Sequence, residues 1–145
     1  DVSWSRGLGD VYKRQILRLE GPVQGLFRET AEDIELHGVA IPKGSVINVR
    51  YAAANLDDTM FETPEKLNLE RENSRQHLAF GFGTHYCMGA PLARREILLS
   101  FKVLLERIDE MWFLDGLNDF KHHPNFCLRA LRELHIGFTR CKPSA

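Results

Sequence analysis

The sequence predicts an α+β fold, mainly helical, and three observations carry that prediction. Ile97, Leu98, Phe101, Leu104, Leu105 and Ile108 recur at helical spacing and share one face. "DIEL", a His37-Gly38 pair and "VAI" read as a short hairpin. Leu134, Ile136 and Phe138 alternate with polar or small residues, as a strand does. A chain of 145 residues is long enough for one domain of ordinary size.

The elements follow in order. Residues 1–15, "DVSWSRGLGDVYKRQ", show neither helical nor strand periodicity, and the character changes at Ile16. They read as a linker or sequencing artefact, to be set aside from fold reasoning. Residues 16–145 carry the folded part. "ILRL" runs to Gly21-Pro22, the tail of a helix and its stop. After the hairpin, Pro42 to Gly44 make a turn, and "SVINVRY" is a further strand. Residues 54–76 are polar with scattered apolar anchors, so a long irregular loop is expected there. Loops of that length in compact domains are functional or are ordered by something else. A glycine-rich segment follows, then the helix from about Pro91 to Ile108, with Pro91 suited to its first turn.

Composition excludes several classes. A net charge of -1 gives no reason to expect nucleic acid. Three cysteines, Cys87, Cys127 and Cys141, are odd in number and widely spaced, which fits a reducing compartment better than a disulfide framework. No run is long and apolar enough to span a membrane, and no signal-peptide pattern is present.

The chemistry centres on "HLAFGFGTHYCMGAPLAR", residues 77–94. A helix starting just after Cys87 turns its unpaired N–H groups and positive dipole end toward the sulfur, which favours thiolate. Gly81, Gly83 and Gly89 clear side chains from around it and permit positive φ. An electron-rich thiolate, open on one side, suits a single axial metal ligand. Structural zinc needs about four ligands, and His85 with Cys87 gives two. A dinucleotide fingerprint fails because Tyr86 stands at the third glycine position. A Cys87 nucleophile with His85 as base stays possible, although i and i+2 side chains of an extended segment point apart. A buried structural cysteine explains Cys87 but not its surroundings.

"FGFGTHYCMG" resembles the heme-binding loop of the cytochromes P-450, the heme-thiolate monooxygenases. The pattern Phe-x-x-Gly-x-x-x-Cys-x-Gly is met by Phe80, Gly83, Cys87 and Gly89. "GAPLARRE", "ANLDDTMF" and "HGVAIPKGS" resemble flanking segments of the family in collinear order, especially in soluble bacterial members. The resemblance implies the C-terminal portion of that fold: hairpin strands, a long meander loop, a cysteine-ligand loop, a long proximal helix and terminal strands. It implies heme b as cofactor, with Cys87 as the axial ligand to iron. Phe80 would pack on the heme face, and Arg28 and His85 would meet the propionates. Val23 and Gln24 would line the substrate pocket with Phe126, Cys127 and Leu128. Arg18 and Arg71 match two members of the family's Glu-x-x-Arg and arginine triad. The glutamate position holds Gln15, a departure that supports an artefact ending there. Leu56 is a second departure, where an arginine is common.

The resemblance further implies a parent enzyme that inserts one atom of dioxygen into a small organic substrate. Its partner would be a ferredoxin-type electron donor with an NAD(P)H-dependent reductase, in the cytoplasm, with no membrane and no nucleic acid. The family's oxygen-activating acid–alcohol pair would lie upstream of Ile16, so the chain is expected to be an inactive fragment. Peroxygenase or isomerase chemistry in the same family, or a small zinc or thiol module, are the alternatives.

Overall fold

A computed structural model describes residues 8–141. They fall into two compact units. The first runs to Phe82 and takes in Asn125–Arg129, and the second holds Gly83–Pro124 and resumes at Ala130.

The first unit opens with helix α1, Leu8–Glu20. This corrects the expectation that nothing periodic precedes Ile16. Residues 1–7 lie outside the described residues. Hydrophobic periodicity does not mark α1, because its buried residues include Gln15 and Arg18 rather than large apolar side chains. Gly21 ends the helix as expected, since a Cβ there would stand 2.7 Å from the Leu17 carbonyl oxygen.

Two antiparallel pairs follow. Strand β1, Leu26–Glu29, pairs with β4, Val46–Val49, in the register Leu26↔Val49 to Glu29↔Val46. All four β1 residues are exposed, so no alternation marked it as a strand. Strands β2, Ile34–Leu36, and β3, Val39–Ile41, form the expected hairpin. Its turn puts His37 at φ 48° and Gly38 at φ 77°, the doubly left-handed geometry that matches strand twist. Thr30 ties the two pairs together: its hydroxyl donates to the Pro42 carbonyl at 2.6 Å and accepts the Ser45 N–H at 2.9 Å.

After a single turn of helix, α2, Tyr51–Ala54, the chain becomes irregular to Phe82 apart from a 3₁₀ turn at Ser74–Gln76. Hydrogen bonds to buried polar groups hold this loop, not a ladder. Phe61 is the anchor, at 2 % exposure.

The second unit begins with a 3₁₀ turn at Gly83–His85 and then helix α3, Ala90–Arg107. Ile108 is extended, at φ -115° and ψ 125°, and belongs to the next strand rather than to the helix. That strand, β5, Ile108–Phe113, pairs antiparallel with β6, Ile136–Arg140. Gly137 stands opposite Trp112, and a Cβ on it would meet the indole at 2.5 Å. Glycine lets that ring lie over the backbone, and a side chain at 137 would force it to move. The apolar face of α3 is not a core among the described residues. Phe101, Leu104 and Leu105 are exposed, and Ala90 is the helix's buried residue.

Candidate functional site

Cys87 lies in the second unit, between the 3₁₀ turn and α3, and its side chain is exposed. Pro91 sits in the first turn of the helix. The Ala90 N–H donates to the Cys87 carbonyl at 3.2 Å, so that group is not offered to the sulfur. Gly89 has φ -78°, an ordinary right-handed value, so the positive φ that glycine permits is not used there. A Cβ on Gly89 would lie 3.7 Å from Sγ, an ordinary contact, so Gly89 marks the backbone nearest the sulfur without itself excluding a side chain. Gly81 and Gly83 do have positive φ, at 72° and 70°. His85 is exposed and sits in the 3₁₀ turn, not in an extended segment, which removes the strand argument about its direction. The exposed Tyr86 hydroxyl accepts from the Arg94 guanidinium at 2.9 Å.

The N-terminal part of the motif closes the first unit. Phe80 is half-buried, with its ring 6.1 Å from that of His77. Buried His77 accepts the Ala79 N–H on Nδ1 at 3.2 Å. Gly81 turns back through its N–H to the Leu78 carbonyl at 2.9 Å. Buried Asn55 accepts the Leu78 N–H on its side-chain oxygen at 2.6 Å. Asn55 and His77 position the chain just before Phe80, yet neither was singled out in the sequence. The sole signal for Asn55 was its place in "ANLDD", and for His77 there was none.

Arg18 is the hub behind this segment. It is 1 % exposed, and its guanidinium donates twice to Gln15 Oε1, at 3.2 and 2.9 Å. It also donates to the carbonyls of Asn55 at 2.8 Å, Pro64 at 2.6 Å and Lys66 at 3.2 Å. Arg71, also buried, donates to the Glu62 and Thr63 carbonyls. Both guanidinium carbons lie over the Phe61 ring, at 5.0 and 5.8 Å from its centroid. Burial, and then the charge of Arg71, pull the Arg18 pKa below its ordinary value, while Glu65 pushes the other way. Gln15 Nε2 and Arg71 Nε are buried with no partner among the described residues. A carboxylate at position 15 would remove the first vacancy and supply the missing negative charge.

The remaining candidates are in the first unit. Arg28 is exposed on β1 and donates to the Phe27 carbonyl at 2.8 Å. Val23 and Gln24 are brought together with Cys127 and Leu128 across a hundred residues of chain. Val23 and Leu128 form an antiparallel bridge, and the Gln24 N–H donates to the Cys127 carbonyl at 2.7 Å. Phe126 projects from the same turn. Leu56 is exposed.

Among the described residues no three His, Cys, Asp or Glu side chains gather to hold a metal ion, so the zinc alternative finds no ligand set. What Cys87 offers is one soft donor on an exposed side chain. Those features fit a metal that brings its other ligands with it, as heme iron does. Comparison with known proteins agrees. The family model described as Cytochrome P450 matches residues 14–111, and the chain belongs to that family. Heme b held through a cysteine thiolate is the family's cofactor.

The cytochrome P450 CYP107DY1 of Priestia megaterium is 40 % identical over 124 residues, covering 86 % of this chain and 30 % of its own length. The substrate-free structure of CYP150A6 from Mycobacterium marinum superposes with a TM-score of 0.89 at 33 % identity, covering 95 % of this chain and 36 % of that one. CYP109E1 from Bacillus megaterium, in complex with testosterone, gives 0.82 at 30 % identity, covering 91 % and 36 %. The chain thus spans about a third of the length of the proteins it matches, and its helices and small sheets are part of the P450 fold.

Proposed function

We propose that this chain is the heme-binding part of a monooxygenase, with Cys87 as the axial ligand. The observation that carries the reading is the exposed Cys87 thiol at the start of α3, with the bare Gly89 backbone beside its sulfur. When bound, thiolate-ligated heme supplies oxygen binding and O–O cleavage, favoured by electron density from the sulfur. The protein's own residues orient and enclose it. Gly81, Gly83 and Gly89 would keep side chains clear of the heme, Phe80 would pack against it, and Arg28 and His85 would hold its propionates through charge-assisted hydrogen bonds. Arg18 and Arg71 fasten the loop that precedes Phe80.

The full-length enzyme uses two electrons and one dioxygen, placing one oxygen atom in an organic substrate and releasing the other as water. Its substrate is small and apolar, a class supported by the testosterone bound to a structural neighbour and by the apolar character of Val23, Phe126 and Leu128. Gln24 and Cys127 complete that lining. Electrons come from a ferredoxin-type donor and an NAD(P)H-dependent reductase in the cytoplasm, as suits a bacterial relative. No described helix is long and apolar enough to cross a membrane.

The test is spectroscopic. In the full-length protein the reduced carbonyl complex shows the red-shifted Soret band of thiolate ligation. Cys87→Ala loses that band, while Cys127→Ala and Cys141→Ala keep it. The reverse pattern would show that another sulfur binds the iron.

A further inference from the structure

We propose that Arg50 is a positioning residue: it sets the turn that carries Phe126 and thereby biases the choice between rigid and flexible apolar substrates. The inference rests on the reading above, in which residues 23–24 and 126–128 face the substrate.

The segment Asn125–Arg129 joins the first unit from far along the chain. Its later residues are fixed by backbone. The Gln24 N–H donates to Cys127, the Arg129 N–H donates to Pro22 at 2.8 Å, and Val23 bridges Leu128. The Asn125 side-chain oxygen accepts both the Cys127 and the Leu128 N–H at 2.8 Å. A Glu20–Arg129 ion pair at 3.2 Å adds to that end. Phe126 is held differently. Its carbonyl accepts from the Arg50 guanidinium, Nη1 to oxygen 2.8 Å, across 76 positions of sequence.

Arg50 suits this task because its own backbone is pinned on both sides. Val49 before it is paired with Leu26, and the Arg50 carbonyl accepts the Ala54 N–H at 3.2 Å in the first turn of α2. A charged donor launched from a fixed point makes a stronger and more directional bond than a neutral one. Within this chain, about a third of its relatives' length, the Phe126 ring is 81 % exposed and polar bonds hold the turn. A ring that does not support its own turn is free to meet another body. With Val23 and Leu128 beside it in the pairing, the surface offered is apolar. A displaced ring spoils the fit of a rigid polycycle more than that of a flexible chain, which can readjust. Because the Arg50–Phe126 bond is exposed, its loss leaves the carbonyl to water and costs the fold little.

The experiment uses the full-length heme enzyme with testosterone and hexadecanoic acid as probes, and equilibrium dialysis to obtain both dissociation constants. Arg50→Ala is expected to weaken testosterone relative to hexadecanoic acid by about fivefold, the modest net worth of one such bond. Arg50→Lys, which keeps a charged donor, restores the ratio to within about twofold. Phe126→Ala moves the ratio in the same direction, and the double variant moves it no further, because Arg50 acts through Phe126. The carbonyl-complex band stays unchanged in Arg50→Ala. An unchanged ratio in Arg50→Ala while Phe126→Ala shifts it would overturn the proposal, as would additive effects or loss of the heme band. A Phe126→Ala enzyme with both affinities intact, or a native enzyme that binds neither probe, would instead overturn the substrate reading beneath it.

Discussion

Arg18 in the first unit and Leu104 in the second invert the usual placement of charge and apolar surface. Within this chain, which spans about a third of its relatives' length, the arginine is 1 % exposed and the leucine is exposed. The inversion is general to the two units. Gln15, Asn55, Arg71, Ser74 and His77 are buried in the first, and among the described residues Phe61 is its one large buried apolar side chain. Ala90 is the buried residue of α3 in the second, while Phe101, Leu104, Leu105, Trp112 and Phe113 are exposed. The difference lies in what each kind of burial can organise. A guanidinium with several fixed donors can gather carbonyls from Asn55, Pro64 and Lys66, and so hold an irregular loop in one shape. An apolar helix face orders nothing until another surface meets it.

The sharpest way to break this contrast is to remove the hub. Arg18→Met leaves the Gln15 oxygen and three carbonyls without their donor, and each buried polar group left unsatisfied costs about 1–3 kcal/mol. Urea unfolding of the full-length protein should register that loss. A cost under about 1 kcal/mol would mean that water replaces the guanidinium readily.

A smaller effect of opposite sign is expected from Gln15→Glu. The unpartnered Nε2 becomes a carboxylate oxygen on the group that already accepts from the Arg18 guanidinium, and hydrogen bonds to charged groups are worth about 1.5–3 kcal/mol. Melting temperature and heme retention should both rise. No rise would show that Arg18 and Arg71 are already satisfied by carbonyls and by the face of Phe61.

In the second unit, Leu104→Glu should change the stability of this 145-residue chain by no more than about 0.5 kcal/mol, as for ordinary surface sites. It should also reduce self-association in sedimentation, because it interrupts an exposed apolar stripe. A large loss of helix content would instead mean that the stripe is packed in solution.

The smallest effect is one the two units share. Asp57 accepts the Thr59 hydroxyl and N–H, and Asp119 accepts the Lys121 N–H and ion-pairs with its ammonium. The Thr59 side-chain bond chiefly lowers the Asp57 pKa, and the Lys121 side-chain bond chiefly lowers that of Asp119. A carboxyl depressed in the folded state adds stability above its unfolded pKa and loses it as pH falls through the folded value. NMR titration should therefore find both carboxyls below the ordinary aspartate range, with Thr59→Val returning Asp57, and not Asp119, toward it.

Much of the site was legible. Cys87, its glycines and the helix after it are adjacent in sequence, and local backbone rules connect them. The hairpin turn at His37-Gly38 was legible for the same reason. The start of α1 was not, because its buried face is polar and hydrophobic periodicity is blind to it. Strand β1 was not, because all its residues are exposed and its pairing with β4 is a long-range event.

The sequence by itself determined the chemistry within reach of a few residues: one soft sulfur, the bare backbone around it, the helix that follows, and the turns whose φ values demand glycine. Tertiary structure alone decided which distant groups meet. It placed Arg18 against Asn55, Pro64 and Lys66, set Phe61 under two guanidiniums, and bound the Phe126 carbonyl to Arg50. The physical reason is that spacing along the chain encodes local geometry, whereas a buried guanidinium takes any carbonyl that folding brings within about 3 Å. The identity of that carbonyl's residue leaves no mark on the sequence.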